Sequence, residues 1–371
     1  MTHTLRSALP VLALALPAFA SAQGAAPPGV TIYGVIDAGV EYITKVGASG
    51  DSLTRMPSNT AYSPSRLGFR GSEDLGDGLR AVFTLEQGIA PDTGTLGQGG
   101  RAFGRQAYVG LSGPWGTFSL GRQYTMLFWS ILDADILGPN AFGSGSMDSY
   151  IPNARADNAV AYRGSFSGAT LGATVSLGRD AVNAGPSPAG TNCAGESAAD
   201  KSACREWSVL LKYDTPTWGA AAVVDRLNGG AGAFGGLTSS SLTDKRSMLN
   251  GWAKFGDWKL GAGILRRSNG GSAATPKSDL IFVGASVVAM PLLVLEAEAF
   301  KLDFKNGPNA ATLLALRATY NFSKRSAAYL SAGNIANDGA LALSVSGGAP
   351  GSSPVASGSQ SGLLAGIRHV F

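Results

Sequence analysis

Residues 65–88 read SRLGFRGSEDLGDGLRAVFTLEQG, and two alternating runs in this stretch decide what kind of protein the chain makes. In the first run Leu67 and Phe69 share one face, and Arg66 and Arg70 share the other. In the second run Leu79, Ala81, Phe83 and Leu85 point one way, and Arg80, Thr84 and Glu86 point the other. A period of two is the period of a strand, because successive side chains leave it on opposite faces. Glu73-Asp74-Leu75-Gly76-Asp77-Gly78 supplies turn residues between the runs, so the spacing predicts an antiparallel hairpin. One face is apolar and the other carries long charged side chains. Both a half-buried sheet of a soluble protein and the wall of a water-filled pore have that character.

The same alternation recurs outward from the hairpin. Residues 30–37 open the series, with Tyr33, Asp37 and Glu41 on one parity. Further runs fall at 102–112 and 116–124, 158–166 and 170–177, 206–214 and 220–227, and 247–255 and 258–267. The last ones are 278–289 and 293–305, 310–321 and 326–334, and 362–371. This predicts about sixteen strands of roughly 9–14 residues, joined by connections that alternate in length. One set of connections is tight. The other is long and rich in Gly, Ser, Asn and Ala: 47–59, 90–101, 125–156, 179–203, 228–246 and 335–361. Short turns at one rim and long loops at the other are the pattern of an outer-membrane barrel, and a soluble sandwich has no reason to sort its loops this way. An even number of strands closes the sheet and leaves no unpaired edge in lipid. At that strand number the interior is too wide for side chains to fill, so it holds water. The apolar face then meets lipid and the charged face meets the pore.

Composition agrees. Charged residues make up 15% of the chain and glycines number 52, against about 25% charged in soluble domains. The glycines have no three-residue period, which excludes collagen. Residues 280–295, LIFVGASVVAMPLLVL, are the best candidate for a membrane helix. They fall short of the roughly 18 residues a spanning helix needs, and Pro291 interrupts them, so two strands joined at Met290-Pro291 fit better. The 29 basic residues exceed the 25 acidic ones only mildly and are scattered, so no nucleic-acid partner is expected. At the N-terminus Arg6, an apolar core at 9–16 and Ala20-Ser21-Ala22 predict a leader, 1–22, cleaved after Ala22. A retained anchor is the alternative, and the apolar core is too short for it. Residues 23–371 then form a single barrel domain. Cys193 and Cys204, the only cysteines, lie in a small-residue loop; in an exported chain a disulfide between them is expected, with two free thiols as the alternative.

The segments VTIYGVIDAGVEY, SRLGFRGSEDLGDGLRAVFTLEQG, FGRQAYVGLSGPWGTFSLGRQY and the terminal GIRHVF resemble the general porins of Gram-negative bacteria, of the Neisseria/Burkholderia/Bordetella type. The resemblance spans residues 30–371. It implies an all-β fold: a sixteen-stranded antiparallel transmembrane barrel whose third extracellular loop folds inward. It also implies a homotrimer in the outer membrane, in contact with lipid and lipopolysaccharide. The strand ending at Phe371 resembles the one that the barrel-assembly machinery recognises. By the family's pattern Arg66, Arg105 and Arg155 stand at the wall arginines of the pore constriction, and Arg70 joins them by parity with Arg66. Asp133 and Asp135 stand where the acids of the inward loop, 125–156, are expected. Asp37, Arg80 and Glu86 are further lumen candidates. Met126, Leu127, Phe128 and Trp129 make the start of that loop more apolar than the family pattern. Arg105 poses a parity conflict, because it shares a face with Ala107, Val109 and Leu111. Either a bulge near the rim reorients it, or the lipid face is Gln106, Tyr108 and Gly110.

The function expected is passive diffusion of small hydrophilic solutes and ions, with a weak to moderate preference for anions. Arginine suits a selective wall because it stays charged at every relevant pH and is less strongly hydrated than lysine. The alternative is that these arginines merely balance wall acids such as Asp37 and Glu86. Tyr33, Tyr108, Trp115, Trp218 and Trp258 are expected in interfacial girdles. No cofactor, no metal site and no enzymatic role are expected. Of the two histidines, His3 leaves with the leader and His369 has no nearby Ser or Asp in sequence, which disfavours a triad. Glu296 and Glu298 share a parity and are expected as wall acids. A channel preferring an organic anion or a sugar, and a surface adhesin, are the other readings; an adhesin of solenoid type would show a fixed repeat, and none is visible.

Overall fold

The computed structural model describes residues 29–180 and 191–371; the expected leader, 1–22, lies outside them. Sixteen strands form one antiparallel sheet closed on itself. They are β1 (Gly29–Val46), β2 (Arg66–Gly76), β3 (Leu79–Ala90), β4 (Gln106–Gly113), β5 (Gly116–Tyr124), β6 (Arg155–Phe166), β7 (Ala169–Ser176) and β8 (Glu206–Asp214). The second half comprises β9 (Trp218–Asn228), β10 (Thr243–Phe255), β11 (Trp258–Asn269), β12 (Lys277–Met290), β13 (Leu293–Phe304), β14 (Ala310–Asn321), β15 (Ser326–Asp338) and β16 (Ser359–Val370). Two short strands, Asp51–Arg55 and Thr95–Leu96, sit within long connections.

Every barrel strand pairs with its sequence neighbour, and β1 closes the ring. Residues 29–35 of β1 pair with β2, and 35–43 pair with β16. Phe371 then exchanges both backbone hydrogen bonds with Gly34, at 3.0 and 3.1 Å. A Cβ at Gly34 would stand 2.3 Å from the Phe371 ring, so only glycine lets the terminal aromatic lie across β1. Closure matters because each unpaired backbone group in hydrocarbon costs several kcal/mol.

The alternation read from the sequence appears as exposure. Val30, Ile32 and Val40 of β1 are 66%, 61% and 50% exposed, while Asp37 and Glu41 on the other parity are buried. Leu314 and Leu316, and Leu363 and Ile367, repeat this apolar outer face on the later strands. Residues 280–295 are indeed two strands, β12 and β13, and among the described residues no helix is long and apolar enough to cross a membrane. The first hairpin is tighter than its turn residues suggest. Pairing of β2 with β3 continues through a register shift between Asp74 and Gly76. The turn is Asp77-Gly78 alone, with φ of 50° and 77°, the pair of positive values that a type I′ turn requires.

The lumen is not uniformly open. The connection 125–154 enters it from the long-loop rim and starts with a short helix, Met126–Ile131. Met126, Leu127, Ile131, Leu137, Phe142 and Met147 bury against Leu210, Val223, Met248, Phe282, Phe300 and Leu313 of the wall, forming one apolar core inside the barrel. The apolar start of this loop is thereby explained: it is the packing face of a segment that rests on the wall.

Candidate functional site: the lumen wall and the third loop

Arg66 begins β2 and points inward, because its pair partner on β1 is the inward Val35. It lies 3.5 Å from Glu86 and donates to Ser63 Oγ and to the Pro64 carbonyl. Arg70, two turns of the pleat further, sits 5.1 Å from the Tyr33 ring centre. Tyr33 and Glu86 are brought together by a gap at Gly68, where a Cβ would meet the Tyr33 ring at 2.3 Å; the phenol donates to Glu86 at 3.0 Å. Tyr108 is likewise inward, accepting from Thr84 at 3.1 Å. Tyr33 and Tyr108 therefore leave the expected girdle for the lumen, while Trp115, Trp218 and Trp258 stay exposed at the short-turn rim.

The parity conflict at Arg105 is resolved by where the strand begins. Regular pairing of β4 starts at Gln106, with Val109 and Leu111 outward. Arg105 lies just before it, outside the pleat, so its side chain is free to turn inward. Its Nε meets Glu86 at 2.7 Å, and its Nη2 donates to the Tyr124 hydroxyl at 2.6 Å. Arg155, the first residue of β6, donates to the same hydroxyl at 2.5 Å and lies 4.3 Å from the ring centre. Tyr124 is held flat by Phe128 of the loop, stacked at 3.8 Å. Arg66, Arg105 and Arg155 thus converge on one carboxylate, Glu86, and one phenol. Arg80 faces the same way near the short-turn end of β3, opposite Asp74.

The two loop acids point to other partners. Asp133 forms an ion pair with Lys212 of β8. Asp135 accepts from Ser144 at 2.6 Å and from the Gly138 amide at 2.9 Å; burial pushes its carboxyl up from the usual range, against the hydrogen bond from Ser144. Both acids lie on the part of the loop that packs toward β8–β14, and among the described contacts neither meets Arg66, Arg105 or Arg155. Asp37 is also occupied elsewhere, by the Tyr329 hydroxyl at 2.7 Å and the Ser63 amide at 2.9 Å.

Of the groups that hold the loop, only Glu296 and Glu298 were singled out from sequence, as wall acids. Arg246 of β10 forks onto Asp148 at 2.9 and 3.2 Å and also meets Asp244 at 3.0 Å. Burial alone would raise the Asp148 carboxyl, but the Arg246 guanidinium outweighs it and holds the group down at about 2. Arg317 of β14 forks onto Glu296 at 2.6 and 3.0 Å and donates to the carbonyls of Ala61 and Leu137. Glu298 accepts from the Leu137 amide at 2.8 Å. Near the loop's two ends Thr125 donates to Asp225 at 2.7 Å and Tyr150 to Glu206 at 2.7 Å. The sequence clue was inward parity: Glu206, Asp225, Asp244, Arg246, Glu296, Glu298 and Arg317 all fall on the buried face of their strands. On the long-loop side Cys193 and Cys204 are joined in a disulfide with Cα atoms 5.3 Å apart. His369 meets Ser326 Oγ at 2.8 Å as an exposed pair at the short-turn rim. Among the described residues no cluster of His, Cys, Asp and Glu could hold a metal.

A closed antiparallel barrel, apolar outside and lined by charge inside, is the architecture of an outer-membrane channel protein. The chain belongs to the Gram-negative porin family, whose model matches residues 8–340, and it is an integral barrel of the outer membrane. It is 30% identical to outer membrane porin protein 32 of Delftia acidovorans, covering 97% of this chain and 99% of that one. Among solved structures it is similar to an anion-selective porin from Comamonas acidovorans, with a TM-score of 0.74, 25% identity and coverage of 92% and 99%. The fold is shared with OmpT of Vibrio cholerae in its trimer form, at a TM-score of 0.66, 16% identity and coverage of 92% and 99%.

Proposed function

We propose that the barrel is a general diffusion channel for small hydrophilic solutes and ions, with a weak to moderate preference for anions. One observation carries this reading. Glu86 is the shared carboxylate of Arg66 and Arg105, while Arg155 leans on a neutral phenol. Three guanidiniums against one carboxylate leave a positive field on the wall. In a narrow, partly dehydrated passage such a field acts more strongly than in bulk water. The relative from Comamonas acidovorans is described as anion-selective, which accords with this reading. Arg66, Arg70, Arg105 and Arg155 form the selective wall, with Asp37, Arg80 and Glu86 completing the charged lining. Asp133 and Asp135 act on the loop side, through Lys212 and through the loop's own fold.

The working unit is a homotrimer set in lipid and lipopolysaccharide, and the β16 end at Phe371 is the handle for the assembly machinery. OmpT is described in a trimer form, which supports the first of these. No chemical step is needed for this role. The test is the reversal potential across a planar bilayer under a salt gradient. An anion-side potential is expected, and a clear cation preference overturns the proposal. Migration of the folded protein as a trimer in SDS at room temperature, and as a monomer after heating, checks the assembly.

A further inference from the structure

Beneath the third loop, toward the short-turn rim, lies a recess of about 590 Å³. Pockets of about 300–1,000 Å³ are the usual size for small organic ligands. Trp129, Leu132 and Asp133 of the loop roof it, and Lys212, Lys254 and Lys259 stand on its wall. The charges in this recess do not balance. Lys212 pairs with Asp133 and lies 2.9 Å from Asp214. Asp214 also accepts from the Trp252 indole at 3.2 Å. Both recess carboxylates are therefore committed.

Lys254 and Lys259 face each other as direct cross-strand partners of β10 and β11. Like charges placed so are mutually destabilising, with Cβ atoms about 4.5–5.5 Å apart. Among the described residues neither ammonium has a carboxylate within ion-pair distance: both lie near the Trp252 ring, 5.2 and 5.7 Å from its centre, and Asp133 and Glu296 act on Lys259 from further away. An ammonium over an indole face keeps donors directed away from the ring. Two flexible lysines paired across neighbouring strands can close on one carboxylate, whose two oxygens each accept from one ammonium. Beside it Leu132 offers an apolar surface that a hydrated inorganic ion does not use, and Arg163, which also lines the recess, lies over the Trp129 ring at 4.0 Å.

We infer that this recess is a binding site for aromatic carboxylates. The carboxylate bridges Lys254 and Lys259, and the ring lies against Leu132 and the layer that Trp129 forms with Arg163. The inference requires an open lumen, not an anion preference of the current. A solute held here on the short-turn side of the loop is retained briefly as it leaves the passage.

Calorimetric titration of benzoate and of acetate into the purified protein tests the site without measuring ion flux. Saturable benzoate binding is expected, at least about tenfold tighter than acetate, a difference of about 1.4 kcal/mol. The K254Q/K259Q variant is expected to lose about tenfold in benzoate affinity, and K254R/K259R to keep it within about threefold. Benzoate binding no tighter than acetate in the unaltered protein, or unchanged in K254Q/K259Q, overturns the inference. Either result leaves the reversal potential, and hence the proposed ion preference, untouched.

Discussion

The two sides of the barrel wall treat the third loop in opposite ways. Strands β8–β14 turn Leu210, Val223, Met248, Phe282, Phe300 and Leu313 inward, and the loop buries its own apolar residues against them. The wall around β2, β3 and the starts of β4 and β6 turns Arg66, Arg70, Glu86, Arg105 and Arg155 inward instead. One side anchors the loop, and the other presents the guanidiniums to which we assign the ion preference. The lesson is that the loop needs no attraction to the wall arginines to hold its position. Apolar packing, with a few buried ion pairs, fixes it from behind, and the arginine field is left to act on what passes.

Substitutions on the anchoring side should therefore cost stability, and those on the arginine side should change selectivity. The largest loss is expected for Arg246→Ala. It leaves Asp148 buried without its partner, while Asp244 keeps Arg267, and stranding a buried charge costs about 3–5 kcal/mol. Thermal unfolding should shift down and single-channel current should become noisier. Leu127→Ala, at a fully buried position, should cost about 2–5 kcal/mol by leaving a cavity under the loop. Arg70→Ala on the opposite side, which loses only a contact over Tyr33, should cost no more than about 1 kcal/mol. Equal losses at Leu127 and Arg70 would erase the distinction between the two sides.

Acid should release the Asp148–Arg246 contact late. The Asp148 carboxyl is held at about 2, below its ordinary 3.8. Its folded-state value is depressed, so its contribution is complete above the ordinary value and fades as pH falls through the folded one. The fall in melting temperature caused by Arg246→Ala should stay constant down to about pH 4, shrink between about pH 4 and 2, and vanish only below about pH 2. A difference that already shrinks at about pH 5 would mean that Arg246 does not hold Asp148. The smallest effect on the pore is expected from removing the disulfide. The C193S/C204S variant should loosen the loop closed by that bond by about 2–4 kcal/mol, seen as faster proteolysis there, with conductance unchanged.

Much of the fold was legible because lipid and water impose a strict period of two on every strand. The hairpin at 65–88 shows it most clearly, and loop lengths and the terminal Phe371 supply the closure. Arg66 and Arg70 were legible for the same reason: a strand fixes the side on which a residue lies. Arg105 was not, because it precedes the first paired residue of β4 and parity has no force there. The partners of Asp133 and Asp135 were hidden too. Asp133 finds Lys212 and Arg246 finds Asp148 across long sequence separations, and no local pattern encodes such distances. The apolar residues Met126–Trp129 were the visible trace of that packing, and only the curvature of the wall shows what they pack against.

The central claim is that Arg66, Arg105 and Arg155, opposed by Glu86 alone, set the ion preference. The most direct test is the reversal potential in a salt gradient, measured for the unaltered protein and for Arg155→Gln, which strands no carboxylate. The account predicts an anion-side potential that moves measurably toward zero in Arg155→Gln and further in Arg66→Gln/Arg105→Gln/Arg155→Gln. A cation-side potential in the unaltered protein, or one that none of these substitutions moves, would contradict it.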